Sequence, residues 1–171
     1  MTYGITADLI VASRGKPGAD ADARSTLEAG LLGTGRPLLI PGTSRRFSAG
    51  AEHVAIAWKP IPQAARAVAA ALPFLTRAKT VTVLTVDEDE SRRNDADRLL
   101  DYLAWHGLKP TLKRLAADAR RGPEALLAVA GNGSDLLVMG GYGHARLREW
   151  VFGGFTQHIL SDAPIPVLIA H

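Results

Sequence analysis

Five glycines that follow an apolar run are the residues of this sequence whose spacing best suits chemistry. They are Gly140, Gly141, Gly143, Gly153 and Gly154. Glycine has no side chain that keeps a ligand away from the backbone, so neighbouring N–H groups can point at an anion. A helical pattern follows the last pair, and the free N–H groups and dipole at a helix start favour phosphate. The spacing predicts an anion site; the alternative is that these glycines only make tight turns and let helices pack closely.

This glycine pattern differs from the two common phosphate-binding signatures. No Gly-Lys-Ser or Gly-Lys-Thr follows it, which excludes a P-loop. Its spacing is not that of the dinucleotide fingerprint, and it follows the fourth strand of residues 51–171 and not the first. His144 in the loop and Thr156 in the following helix are the nearby side chains that could contact the anion.

The rest of the chain shows no catalytic or metal-binding pattern. The sequence has no cysteine, which excludes a disulfide scaffold, a zinc–thiolate site and a thiol nucleophile. Its five histidines have neither the spacing of metal ligands nor a paired carboxylate. No serine stands at a recognisable spacing from a histidine and an acid, so the sequence predicts no hydrolase triad.

The segments that position the glycines alternate between strand-like and helix-like patterns. Runs of β-branched and apolar residues are separated by segments with apolar residues at helical spacing. Strand and helix in repeated alternation predict a parallel sheet with helices on both faces. Ligands bind such sheets beyond the carboxyl ends of their strands, where the glycine loop lies. The five predicted strands begin near His53, Val81, Thr111, Leu136 and Val167.

The beginning of the chain repeats the pattern of its end. In both places two apolar strands stand at nearly the same separation, and a proline precedes the second strand. The matching pairs are residues 7–11 with 134–138, and residues 35–40 with 164–169. We interpret residues 1–50 as a partial repeat plus a linker, and residues 51–171 as a complete domain. The alternative is two ordinary strand-helix-strand units.

The carboxy-terminal part of the chain resembles the universal stress protein (UspA-type) family. That family's pattern is Gly, two residues, Gly, nine residues, Gly, then Ser or Thr, and Gly140, Gly143 and Gly153 match its spacing. The run that begins at Asp135 and the apolar strand after Pro164 are also similar. The resemblance covers residues 51–171, and the amino-terminal part looks like the end of a truncated first domain in a tandem member.

The resemblance implies both a fold and a cofactor. The fold is α/β, a doubly wound five-stranded parallel sheet of the adenine nucleotide alpha hydrolase-like type, here preceded by the partial strand-helix-strand repeat. One branch of the family binds ATP, with or without Mg²⁺. Together with His144, the residues predicted by position to contact it are Ala57, Lys59, Val86, Met139, Gly140, Gly143, Gly153, Gly154, Phe155 and Thr156.

Two departures from the family pattern predict weak nucleotide binding. Gly154 stands where the family has Ser or Thr, so a hydroxyl is missing. Lys59-Pro60-Ile61 replaces an acidic or amide residue followed by Gly-Ser, so a backbone N–H is also missing. Each lost hydrogen bond costs about 0.5–1.5 kcal/mol. Trp58, Ile61 and Tyr142 are the bulky residues that could fill the site.

The function that we predict is that of a stress-response protein that binds an adenine nucleotide. Its role is regulatory rather than catalytic, with slow ATP hydrolysis left open. The alternative is a scaffold or interaction protein of the same fold that has lost nucleotide binding.

The partner that we predict is a second copy of the chain. An apolar last strand would be an aggregation-prone edge if it stayed unpaired. The strands predicted to pair are Val167, Leu168 and Ile169, and Leu38, Leu39 and Ile40. They either pair within one chain, which gives an internal pseudo-dimer, or between two chains; the second arrangement is the one we expect.

Charge and hydropathy argue against nucleic-acid and membrane partners. The 20 Lys and Arg residues are spread among 17 Asp and Glu residues, whereas a nucleic-acid footprint clusters its basic residues. No apolar run reaches the roughly 18 residues of a membrane span. The amino terminus shows no basic segment that leads into an apolar one, so no signal peptide is expected and the cytoplasm is the predicted location.

Overall fold

Alternating strands and helices make up the part of the chain that a computed structural model describes, which is residues 4–14, 21–44, 50–86, 96–116, 121–141 and 154–171. The strands are β1 (Ile10–Val11), β2 (Leu38–Ile40), β3 (His53–Ala57), β4 (Thr80–Val86), β5 (Thr111–Leu115), β6 (Leu136–Gly140) and β7 (Val167–Ala170). The helices are α1 (Ala21–Thr34), α2 (Pro62–Leu75), α3 (Asp97–Trp105), α4 (Gly122–Gly131) and α5 (Gly154–Asp162), and a 3₁₀ turn spans Gly4–Thr6.

Local chemistry explains where several of these elements begin and end. Pro62 stands in the first turn of α2, where its missing N–H has no intrahelical partner to lose. Gly107 follows α3 with a φ of 77°, a left-handed conformation that glycine adopts without strain. β4 consists of threonine, valine and one leucine, and its β-branched residues pack well on a pleated surface.

The described strands form one seven-stranded sheet in the order β1-β2-β7-β6-β3-β4-β5. The five strands β7-β6-β3-β4-β5 run parallel to one another, which confirms the predicted parallel sheet. β5 lies at one edge, and its Lys113 and Arg114 are exposed. The sequence therefore predicted the five-stranded part correctly, while the amino-terminal strands extend the sheet by two.

The last strand is interior, which corrects the prediction that it offers a free edge to a second chain. β2 pairs with β7 in antiparallel orientation within the same chain. Thr43 and Ser44, which follow β2, donate backbone hydrogen bonds to the carbonyls of Ala163 and Pro164 at 3.1 and 3.2 Å. Of the two arrangements left open by the sequence, this is the internal one, so β7 is not available for pairing with another copy.

Helices cover both faces of the sheet, and a hydrophobic core lies under each face. On one face α1, α4 and α5 pack over inward residues such as Ala55 and Leu137. On the other face α2 and α3 pack over the alternate positions, such as Ile56 and Val138. Successive side chains of a strand point to opposite faces, so strands buried on both sides are apolar throughout.

Arg14 ties the amino-terminal strands to α5. Its Nε donates to the carbonyl of Pro41 at 2.8 Å, and its Nη1 donates to the carbonyl of Leu160 near the end of α5. Burial of the guanidinium lowers the pKa of Arg14, and the charge of Asp162 opposes that shift. The side chain therefore carries a partly buried charge to the carboxyl end of a helix, where cations are favoured.

Candidate functional site

The candidate site lies at the carboxyl ends of β3, β4, β5 and β6, where α4 and α5 begin. The register places Ala57 beside Met139 and places Val86 beside Leu115. The chain leaves β6 at Gly140, and α5 begins at Gly154. The order of the strands therefore brings residues from four separate stretches of sequence to one edge of the sheet.

A half-buried apolar surface lines this edge on the face that α4 and α5 cover. Ala57, Val86, Leu115 and Phe155 are only partly buried there, and all four pack against the core of that face. Such a surface suits a flat, weakly polar group because the apolar area that remains exposed is available for burial. Leu115 was not predicted; as the last residue of a weak strand pattern it carries no motif.

Phe155, Val86 and Gly122 meet at one point of this surface. A Cβ on Gly122 would lie 3.3 Å from Cγ1 of Val86 and 3.4 Å from Cε2 of Phe155. The aromatic ring thus lies across the start of α4 and next to the end of β4. Gly122 was also missed, although Gly-Pro before an apolar helical pattern marks a helix start.

The first residue of α5 is open, in contrast to its surroundings. Among the described residues, no atom outside the backbone of α5 lies within 4 Å of the position that a Cβ on Gly154 would take. The N–H groups of the first turn of a helix have no intrahelical partner, and they favour an anion. Thr156, two residues further on, is only 6% exposed and lies on the inward side of α5 with Ile159 and Leu160. Its hydroxyl is therefore less accessible than the sequence suggested.

Gly140 has a packing role that the sequence left as an alternative. A Cβ on this residue would lie 2.4 Å from the backbone nitrogen of Ala64 and 2.8 Å from its Cα. The amino-terminal turn of α2 therefore sits directly against the end of β6, and only glycine allows this approach. Its neighbour Met139 is 3% exposed and belongs to the core on the opposite side of the sheet.

The segment after β3 differs from a phosphate-binding loop in its local hydrogen bonds. The Ile61 N–H donates to the carbonyl of Lys59 at 2.8 Å, and Pro60 has no N–H to offer. Ile61 precedes α2 in an extended conformation and gives the helix no side-chain cap. Lys59 is exposed. The segment from Lys59 to Ile61 therefore offers a phosphate few free backbone N–H donors.

The bulky residues that the sequence singled out do not all reach this surface. Trp58 packs against the core under α2 and α3, which is the opposite face from Phe155. The backbone N–H of Trp58 donates to the carbonyl of Leu84 at 2.8 Å. Tyr142 lies outside the described residues. Trp58 is therefore positioned by the sheet and does not fill the apolar surface.

Of the predicted site residues, Ala57, Val86 and Phe155 share the apolar surface, and Gly154 with Thr156 forms the adjoining helix start. Met139 and Gly140 end the neighbouring strand, and Lys59 is on the exposed segment after β3. Gly143, His144 and Gly153 lie outside the described residues. Within the described ranges, no three His, Cys, Asp or Glu side chains converge as metal ligands.

Comparison with known proteins places this arrangement in a family. The sequence model of the universal stress protein family matches residues 88–171, which include β5, β6, β7 and both site helices. Residues 88–171 therefore belong to the universal stress protein family. No curated protein matches the sequence.

Several solved structures share the fold. A universal stress protein from Archaeoglobus fulgidus DSM 4304 is 16% identical with a TM-score of 0.71, and the match covers 99% of this chain. This chain spans only 62% of the length of that protein. The hypothetical protein MJ0577 is 19% identical with a TM-score of 0.61, and the match covers 70% of this chain and 96% of that one.

One related structure contains a nucleotide. A universal stress protein in complex with cAMP is 18% identical with a TM-score of 0.59, and the match covers 72% of this chain and 98% of that one. At these identities the comparisons establish the shared fold, a universal stress protein fold with a parallel-dominated sheet.

Proposed function

We propose that this universal stress protein binds an adenine nucleotide at the carboxyl end of its sheet and that binding serves regulation. The observation that carries the proposal is the open helix start at Gly154 beside the apolar surface of Ala57, Val86 and Phe155. The first feature suits phosphate and the second suits a base. The complex of a related protein with cAMP supports this choice of ligand class.

The site residues have distinct parts in this proposal. The base contacts Ala57, Val86 and Phe155, and the phosphates face the backbone at Gly154. Gly143, His144 and Gly153 complete the phosphate side, with Met139, Gly140 and Thr156 as the frame behind it. Lys59 offers a positive charge to the phosphates, and Mg²⁺ bound with the nucleotide would neutralise part of their charge.

The proposed affinity is weak. Gly154 lacks the hydroxyl of the family pattern, and Pro60 with Ile61 removes donors after β3. At about 0.5–1.5 kcal/mol for each hydrogen bond, two or three such losses weaken binding by roughly 10- to 1000-fold.

Calorimetric titration with ATP, ADP, AMP and cAMP, with and without Mg²⁺, tests the proposal. Binding should appear at millimolar ligand and raise the unfolding temperature, since ligand at 100 times its Kd stabilises by about 2.7 kcal/mol. Gly154→Asp should weaken binding at least about 10-fold, because its carboxylate repels phosphate while an acid at a helix start is compatible with the fold. Gly50→Asp is the control: it adds the same charge at another open glycine.

The alternative is a scaffold or interaction protein without a nucleotide. The hydrogen-bonding pattern of Lys59, Pro60 and Ile61 favours it. If none of the four nucleotides produced heat on titration or shifted the unfolding temperature, the binding proposal would be rejected and the scaffold function would be favoured.

We further propose that the protein regulates and does not catalyse, and that it is located in the cytoplasm. Phosphate release from ATP no faster in wild type than in Gly154→Asp would agree with a regulatory role, and fractionation of cells tests the location. Among the described helices none has the length and apolar character needed to cross a membrane.

We also propose that residues 1–50 are a partial copy of the domain formed by residues 51–171. The hydrogen bond from Ile10 N–H to the Pro37 carbonyl, 3.0 Å, has a counterpart from Leu137 N–H to Pro166, 2.9 Å. Equivalent strands in the two parts therefore share a register.

A further inference from the structure

The last turn of α5 receives a side chain from the amino-terminal part of the chain. Arg14 stands 146 positions before Leu160 and donates from Nη1 to its carbonyl. The last four carbonyls of a helix have no intrahelical partner, so the guanidinium caps α5 and lies at the negative end of its dipole. The same side chain donates from Nε to the carbonyl of Pro41, which directly follows β2. Arg14 therefore joins the end of α5 to the strand pair of β1 and β2.

The residues that follow β2 hold the connection from α5 to β7 as well. The backbone N–H groups of Thr43 and Ser44 donate to the carbonyls of Ala163 and Pro164. A Cβ on Gly42 would lie 2.4 Å from the carbonyl oxygen of Pro164, so no side chain fits between the two segments. The end of α5 and the segment after it are thus held by residues that precede β3. We call the residues that make these contacts the α5 anchor: Arg14, Gly42, Thr43 and Ser44.

The guanidinium of Arg14 is not fully paired in this arrangement. Its Nη2 is buried and has no hydrogen-bond partner among the described residues. Asp162, in the last turn of α5, is near enough for its charge to act on Arg14, but its Oδ2 lies 3.6 Å from Nδ1 of His158. Buried donors without a partner are rare in native proteins and require an explanation beyond stability. The position of the last turn of α5 decides how many acceptors Arg14 reaches.

The helix α5 connects the α5 anchor to the candidate site. It has nine residues, which at 1.5 Å per residue gives a length of about 13 Å. Its first residue is Gly154, and Phe155 in the first turn packs with the apolar surface of the site. Backbone hydrogen bonds make so short a helix a rigid element, so a shift of its last turn is carried to its start.

We infer that Arg14 is a positioning residue for the nucleotide site, which fixes the end of α5 and thereby the backbone N–H groups at the start of that helix. The inference rests on the proposed binding of phosphate at Gly154. Donors that are held in place before the ligand arrives bind it better, because no ordering has to occur on binding. The amino-terminal part of the chain therefore acts on the site without touching the ligand. Nucleotide binding in turn stabilises the contacts of Arg14, since coupling between two sites is reciprocal.

Titration calorimetry of two arginine variants with ATP tests this role. Arg14→Ala should raise the Kd by about 3- to 10-fold, the size of effect expected when coupling passes through a rigid element. Arg36→Ala is the matched control, because Arg36 also donates two hydrogen bonds to a backbone carbonyl of the amino-terminal part, that of Ile5, at 3.0 and 2.6 Å. Among the described residues Arg36 makes no hydrogen bond to α5, so the control should leave the Kd within about twofold of wild type.

Hydrogen exchange of the ligand-free protein shows whether Arg14 holds α5. The amides of residues 158–162 should exchange at least about tenfold faster in Arg14→Ala than in wild type, while those of α4 keep their rates. Arg36→Ala should change neither helix. If Arg14→Ala does not fold, Arg14→Lys replaces it: lysine keeps the charge at the end of α5 but lacks the planar fork that reaches two carbonyls, so both its Kd and its exchange rates should exceed those of wild type.

The outcomes separate this inference from the proposed function. A wild type that bound no ATP would refute both. If wild type bound ATP and the Arg14 variant bound it equally well, or if the variant left the exchange of α5 unchanged, the role of Arg14 alone would be refuted. Equal weakening by the Arg14 and Arg36 variants would also refute it, because the effect would then reflect the general stability of the amino-terminal part.

Discussion

Leu39 and Leu168 face each other across the antiparallel strands β2 and β7, at the centre of their three-residue register. The register on either side of this pair is reciprocal, since Leu38 pairs with Ile169 and Ile40 pairs with Val167. Both leucines belong to the core under α2 and α3. The amino-terminal strands and the carboxy-terminal domain are therefore joined through one continuous sheet and a shared core.

Truncation of either leucine should destabilise the whole protein. Leu39→Ala and Leu168→Ala should each lower the free energy of unfolding by about 2–5 kcal/mol, because both side chains are buried and leave a cavity. Urea denaturation of the single and double variants measures the effect, and the pair should show coupling because the residues are in direct register. Trp105→Ala is the exposed control and should change stability by no more than about 0.5 kcal/mol. A second, independent unfolding transition of residues 1–50 would contradict the shared core.

Substitution by alanine should destabilise the protein strongly at Gly140 and hardly at all at Gly154. Gly140→Ala places a Cβ 2.4 Å from the backbone nitrogen of Ala64, so α2 must move, and we expect a loss of about 3 kcal/mol or more. Gly154→Ala meets no atom of the described residues within 4 Å and should change stability by less than about 1 kcal/mol. Thermal and urea unfolding of the two variants make the comparison. Equal losses would mean that α2 does not press on the end of β6.

Gly154→Ser restores the hydroxyl of the family pattern and should strengthen nucleotide binding. One additional hydrogen bond of about 0.5–1.5 kcal/mol corresponds to a Kd lower by roughly 2- to 10-fold. Titration calorimetry with ATP measures the change, with Gly50→Ser as the matched control outside the site. If Gly154→Ser left the Kd for ATP unchanged, the proposal that the phosphates bind at the start of α5 would be wrong.

Arg14 should matter for stability over a wide pH range. Arg14→Ala removes the donors to Pro41 and Leu160, and we expect a loss of about 1–3 kcal/mol. Burial lowers the folded-state pKa of Arg14 from its ordinary, strongly basic value. For a base this means that stability is gained only when the pH rises through the folded-state pKa. Because an arginine in a protein stays protonated at neutral pH, the loss on substitution should be the same at pH 6 and pH 8. Urea unfolding at the two pH values tests this; a loss confined to one of them would point to another titrating group.

Much of the fold followed from local patterns. The alternation of apolar strands with amphipathic helices predicted the parallel sheet, and the two similar segments at each end predicted a strand-helix-strand unit near the amino terminus. Residues such as Val83 and Leu137 are buried regardless of which strand lies beside them. Composition and periodicity were therefore sufficient to predict their strands. The site was predicted only in part: the sequence named Val86 and Phe155 by position but carried no signal for Leu115.

The sequence by itself determined the type and order of the elements and the family, because hydrophobic period and glycine spacing depend on neighbours along the chain. Only the tertiary structure decided that β2 fills the edge of β7, that Gly140 serves packing against Ala64, and that Trp58 points to the opposite face from Phe155. These outcomes depend on contacts between segments far apart in the chain, where pairing is chosen by the shared burial of both partners and not by the pattern of either one.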